Sequence, residues 1–142
     1  MTDIAVDTSA LVAVLLLEDG KELIARCLSE SDRKFISSAT LHELSCVFRR
    51  FENNDQSMNL WPLVEHLDLI QVAFDEDQSG VARAGYQEFG RGSGHKAKLN
   101  MGDCFSYALA KTHSLPLLFK GDDFIHTDIL SALSPTIAGE SA

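Results

Sequence analysis

With 142 residues, 45% of them apolar, the chain suits one domain with a single core and is too apolar to be disordered. A formal net charge of −9 argues against gripping nucleic acid by bulk attraction alone. It leaves open acids spread over a solvated surface, acids gathered around a cation, and attraction of a basic partner. No apolar run approaches the roughly 20 residues that span a bilayer, Ala10 to Leu17 lacks a basic leader, and Cys27, Cys46 and Cys104 imply no disulfide framework, so a cytoplasmic protein free of membrane is expected.

In chain order, "DIAV" (Asp3 to Val6) reads as a first strand ending at Asp7. "SALVAVLLLEDG" follows as a helix buried on every side, with Ser9 as N-cap and Gly20 past its end. "KELIARCLSE" is a second helix and "KFIS" a second strand. In "TLHELSCVFRRF" the apolar residues Leu41, Leu44, Phe48 and Phe51 recur at helical spacing. With Leu11 and Leu15 they are expected in the core. Asn53 to Ser57 is a polar break, and "LWPLVEHL" is helical with Pro62 near its start. Leu67 to Phe74 is a third strand, and "DQSGVARAGYQEFG" is a helix weakened by Gly80 and Gly85. Arg91 to Asn100 is a basic, glycine-containing loop. "MGDCFSYALAKTH" is a helix with an apolar face of Phe105, Ala108, Leu109 and Thr112, and Leu115 to Lys120 is a fourth strand. The tail after Ser134 is expected to hold a short strand before a frayed end. Short strands alternating with helices, without repeat or linker, predict one α/β domain over 1–142 with a mostly parallel sheet.

In such a sheet, functional groups gather beyond the carboxyl ends of the strands. Asp7 follows the first strand, and Asp122 and Asp123 follow the fourth. Glu43 and Asp103 occupy first turns of helices. Each has a local explanation: a turn residue at Asp7, a capping box from Thr40 to Glu43, a favourable dipole at Asp103, and a turn and cap at Asp122 and Asp123. None of these explanations requires the four places to converge. If they do, two carboxylates about 4 Å apart repel by about 4 kcal/mol at an effective dielectric of about 20. The cluster then needs a counter-charge. An all-oxygen site suits Mg²⁺ or Mn²⁺, which could polarise a phosphate and lower the pKa of a bound water.

"VDTSALVAVL", "SATLHE", "LNMGDCFSYALAK" and "PLLFKGDDFIHTDI" occur in an order and spacing that resemble the PIN-domain ribonucleases, in particular the VapC toxins of bacterial toxin–antitoxin pairs. The resemblance covers nearly the whole chain. It implies a PIN-like three-layer α/β/α sandwich with a short central sheet, and a Mg²⁺- or Mn²⁺-dependent endoribonuclease. By position, Asp7 would be the first metal ligand, Glu43 the second acid and Asp103 the third. Asp123 comes before Asp122 as choice for the fourth. Thr8 and Ser9 match a polar pair supporting the first acid, and Phe124 would pack the turn onto the core. The resemblance also implies a homodimer and a cognate VapB-type antitoxin that covers the site. The first strand has fewer β-branched residues than is usual in the family, but no motif acid is missing.

Arg91, His95, Lys96 and Lys98, concentrated before Asp103, are candidates to hold RNA phosphates, against the alternative of an ordinary solvated loop. His42 and Cys46 have the spacing of zinc ligands but no third partner. Trp61 and Phe89 are expected to pack, and His66, His113 and His126 to carry no chemistry. Rival readings are a catalytically silent module that binds RNA or a basic protein, a phosphatase of the haloacid dehalogenase type, and a response-regulator receiver. The phosphatase lacks its second Asp, replaced by Ser9, and the receiver lacks an initial acidic pair.

Overall fold

Four short strands, β1 (Asp3–Val6), β2 (Arg33–Ser37), β3 (Ile70–Val72) and β4 (Leu117–Leu118), form one sheet in the order β3-β2-β1-β4, with every pairing parallel. The computed structural model describes residues 2–51 and 60–133, with Phe51 by its backbone alone. The polar break at 53–57, the Phe51 side chain and the tail from Ser134 onward lie outside the described residues.

Alternation along the strands builds two cores. Ile4, Val6, Ile36 and Leu118 point to the layer of α1 (Thr8–Leu15), α2 (Lys21–Glu30), α3 (Ser38–Phe48) and α4 (Leu60–His66). Ala5, Phe35 and Leu117 point to the layer of α5 (Glu76–Phe89) and α6 (Met101–His113). Helices on both faces account for consecutive apolar residues within the strands, as in Ile4 to Val6 and Phe35 to Ile36. The three-layer α/β/α arrangement is therefore the one expected. Among the described residues no helix is long and apolar enough to cross a membrane.

Several local expectations are corrected. α1 is not buried on every side: it stops at Leu15, and Leu17, at φ 55, is 65% exposed. The third strand keeps only three residues because Asp68, at φ 52, turns the chain just before it. The fourth keeps two, since its partner β1 ends at Val6, although Leu117 also bonds the backbone of Leu130 and Ala132 on the other side. On α6, Thr112 is exposed; burial instead surrounds the first turns, because the helix lies against α5, α3, β1 and β2 together. Trp61 is 46% exposed rather than packed, whereas Phe89 is buried.

Gly85 is not a simple weakness in α5. A Cβ there would stand 2.6 Å from the Tyr107 ring, so the missing side chain permits close contact between α5 and α6. Gly85→Ala should lower unfolding stability in urea by about 1–3 kcal/mol through overpacking, although alanine favours helix. An unchanged or higher midpoint would contradict this packing.

Candidate active site

The chain moves from β1 to β2 and β3 on one side, while β4 lies on the other side of β1. At such a reversal the loops leaving the carboxyl ends of the strands diverge and open a crevice. A cavity of about 370 Å³ lies there, lined by Asp7, Thr8, Ser9, Val12, Glu18, Glu43, Asp103, Lys120 and Gly121.

Asp7 leaves β1 in an extended conformation and is itself the N-cap of α1. Its Oδ2 accepts from Ser9 N at 3.1 Å and from Ser9 Oγ at 2.7 Å, and its Oδ1 accepts from Ser106 Oγ on α6. The capping role expected of Ser9 thus belongs to Asp7, because the aspartate reaches the free amide while Ser9 already lies inside the helix. Asp7 is only 4% exposed, and burial raises its carboxyl above the ordinary range against the lowering effect of the Ser106 and Ser9 bonds.

Glu43 does not belong to a capping box. Ser37 caps α3 by accepting from Ala39 N, and the buried Thr40 hydroxyl lies 3.4 Å from Ser106 Oγ. Glu43 therefore sits beyond the first turn, where its Oε1 accepts from Thr8 Oγ1 at 2.8 Å. The hydroxyl of Thr8 consequently supports the second acid, not the first. Desolvation raises the Glu43 carboxyl; Thr8 opposes the shift and the charge of Asp7 adds to it. Gly102 leaves room for this carboxylate, since a Cβ there would stand 1.8 Å from Glu43 Oε2.

Asp103 completes a reciprocal capping box with Asn100: Asn100 Oδ1 accepts from Asp103 N at 2.8 Å, and Asp103 Oδ2 accepts from Asn100 N at 3.0 Å. Burial pushes its carboxyl up to about 7; the Asn100 bond opposes this, and the charges of Asp7 and Asp123 reinforce it. A side-chain hydrogen bond with Asp123 adds to the rise of the Asp103 carboxyl. Asp122 is exposed and is not among the groups that perturb Asp103. Phe124 anchors the same turn: it is 2% exposed, with its ring 5.1 Å from that of Phe119.

Asp7, Glu43 and Asp103 are thus brought together at one cavity, with the exposed Asp123 beside Asp103, while Asp122 is exposed and perturbs none of the three. No cation is among the groups that perturb Asp7, Glu43 or Asp103, and the ion pairs Lys21–Glu22, Arg33–Asp3, Lys111–Asp128 and Lys120–Glu18 all use other carboxylates. Among the described residues no three His, Cys, Asp or Glu groups already stand at coordination spacing, because the carboxylates are turned onto hydroxyls, amides and one another. The donor chemistry itself, all oxygen and anionic, fits a hard divalent cation.

The basic loop is not brought to the cavity wall. Arg91, Lys96 and Lys98 are exposed outside it. His95 shapes the loop, with its ring edge-on to Phe89 at 4.9 Å and its Nδ1 accepting from Ala97 N at 3.0 Å. His42 Nε2 and Cys46 Sγ touch at 3.6 Å on an exposed helix face. Sequence reasoning missed Ser106, Glu18 and Lys120. Ser106, three residues after Asp103 on one helix, could have been found by its shared face; the other two carry no comparable sign.

A PIN-domain family model matches residues 4–130. The chain is 42% identical over 127 residues to Ribonuclease VapC42 of Mycobacterium tuberculosis, an alignment covering 89% of this chain and 97% of that one. Two solved structures share the fold. VapC20 of Mycobacterium tuberculosis, described as a sarcin–ricin loop cleaving toxin, aligns with a TM-score of 0.70 at 15% identity over 89% of this chain and 96% of its own. A toxin–antitoxin complex from Klebsiella pneumoniae aligns with a TM-score of 0.65 at 19% identity, over 91% and 97%. The fold is that of the PIN domain, and the chain belongs to this family as one of its VapC toxin ribonucleases.

The raised Asp103 carboxyl gives a signed pH effect. Unfolded, the group titrates near 3.8; folded, near 7, so between these values the folded chain holds more protons. In EDTA, stability should fall as pH rises from about 4 to about 7 and then level off. Asp103→Asn should flatten that slope in urea unfolding, and an equal slope in both proteins would contradict the assignment.

Proposed function

We propose that this toxin is an endoribonuclease that depends on Mg²⁺ or Mn²⁺, with Asp7, Glu43, Asp103 and Asp123 holding the cation. The convergence of these four carboxyls, three of them lining one cavity with no cation among the described residues that neutralises them, carries the reading. Asp123 is preferred to Asp122 because its side chain meets that of Asp103. A bound divalent ion would supply Lewis-acid stabilisation of charge developing on the scissile phosphate and activation of water.

The protein's own part is orientation. Ser9 and Ser106 fix both oxygens of Asp7, Thr8 holds Glu43, and Asn100 fixes Oδ2 of Asp103. Such outer partners keep ligands in place before the cation arrives. Because Asp103 must give up its proton to serve as a ligand, cation binding is linked to proton release.

RNA is the proposed substrate, with Arg91, His95, Lys96 and Lys98 drawing the distal backbone toward the cavity. A VapB-type antitoxin would inhibit by covering the crevice and placing a cationic side chain among the carboxylates; the related fold in a toxin–antitoxin complex supports such a partner. A homodimer formed by one PIN domain per chain completes the reading.

RNA-panel cleavage tests the proposal. Mg²⁺ or Mn²⁺ should support cutting, EDTA should abolish it, and Asp7→Asn and Asp103→Asn should each lower it by more than about a hundredfold, beyond the usual effect of losing an outer partner. Equal activity in all samples would overturn it. Gly102→Ala should reduce cleavage by about tenfold or more with little change in unfolding midpoint, since the new methyl displaces only the tip of Glu43. Unaltered cleavage would contradict the role given to Glu43.

A further inference from the structure

Of all the side chains lining the acid cavity, Lys120 alone is cationic among the described residues. Its ammonium does not neutralise the cluster; it pairs with Glu18 at 3.1 Å, at the rim beyond the end of α1. Both side chains are about one-third exposed, at 36% and 37%. An ion pair this wet contributes little to stability and is readily exchanged.

The base of Lys120 is far better fixed than its tip. Its backbone N–H donates to Ser9 Oγ at 3.0 Å, and that hydroxyl donates to Asp7 Oδ2. Ser9 therefore links Lys120 to the first acid through two consecutive hydrogen bonds. Gly121 follows at φ +102, a left-handed conformation that turns the chain back toward Asp123. The result is a rooted but flexible cation beside four acids. A divalent ion neutralises only part of their charge, so an entering phosphodiester still meets net repulsion. A charge-assisted bond from an ammonium to a phosphate oxygen would offset it.

We propose that Lys120 is the phosphate-binding residue of this site, exchanging Glu18 for a non-bridging oxygen of the RNA phosphate, and that Glu18 is a positioning residue that competes with RNA for it. This rests on the metal-dependent ribonuclease reading. It assigns opposite effects to two substitutions that break the same ion pair.

The test uses the full chain in two arms. In the Asp7→Asn background, chosen because cutting is expected to be suppressed, fluorescence anisotropy follows a labelled mixed-sequence single-stranded RNA. Lys120→Met should weaken binding by about tenfold, Glu18→Gln should tighten it by about threefold, and Lys120→Arg should restore most of the affinity. The slope of log affinity against log salt should fall by about 0.7 in Lys120→Met, one phosphate contact fewer on a single strand. In the Asp7 chain, KM for RNA should rise in Lys120→Met and fall in Glu18→Gln. Thermal melts of the two variants should agree, since each loses the same pair. Loss of affinity in both variants, or no change in affinity and salt slope in either, would overturn the proposal. Cation-dependent cleavage in the unsubstituted chain would then leave the ribonuclease reading standing. Absence of that cleavage would sink the ribonuclease reading, with the anisotropy arm still deciding whether Lys120 holds phosphate.

Discussion

The carboxyls of Asp7 and Asp103 are buried within reach of each other's charge, with Glu43 and Asp123 beside them and, among the described residues, no ammonium or guanidinium that pairs with Asp7, Glu43 or Asp103. Water cannot screen this arrangement fully, so it is tolerated through hydroxyl and amide donors, shared protons, or a counter-ion. The first is visible: serine and threonine hydroxyls on Asp7 and Glu43, and a backbone amide on Asp103. The fold thus holds an electrostatic imbalance that a divalent cation would relieve.

Each part of the architecture serves that imbalance. A parallel sheet puts the ends of β1 and β4 side by side, and the reversal of strand order there opens the crevice. α3 and α6 then cross the same edge, in contact through Thr40 and Ser106. Ser106 is consequently shared between packing and site: it touches Thr40 within the layers and holds Asp7 at the edge. The absence of a side chain at Gly102 has the same double character, allowing the N-terminus of α6 to approach the helix that carries Glu43.

The alternation of strands and helices, and the positions of Asp7, Asp103 and the Asp122–Asp123 pair, could be read from the sequence because they follow from local pattern, whereas the preference for Asp123 came from the family resemblance. Apolar runs ending at acids mark strand ends, and Asn100 followed by Asp103 marks a helix start. What could not be read was which local role a polar residue takes when several compete. Thr40 and Glu43 have the spacing of a capping box, but Ser37 lies nearer the free amides and takes the cap, leaving Thr40 buried and Glu43 for Thr8. Ser9 yields its cap to Asp7 for a similar reason. Glu18 and Lys120 are separated by a whole layer of chain, so only the closure of β4 against β1 brings them together.

Calorimetric titration of the metal-free chain with Mn²⁺ at neutral pH, repeated in buffers of different ionisation enthalpy, addresses the carboxylate cluster directly. Saturable binding accompanied by proton release in the unsubstituted chain, and lost in Asp103→Asn, is the expected result. No binding, or binding of equal strength without Asp103, would mean that the carboxylates gathered at this sheet edge do not form a cation site.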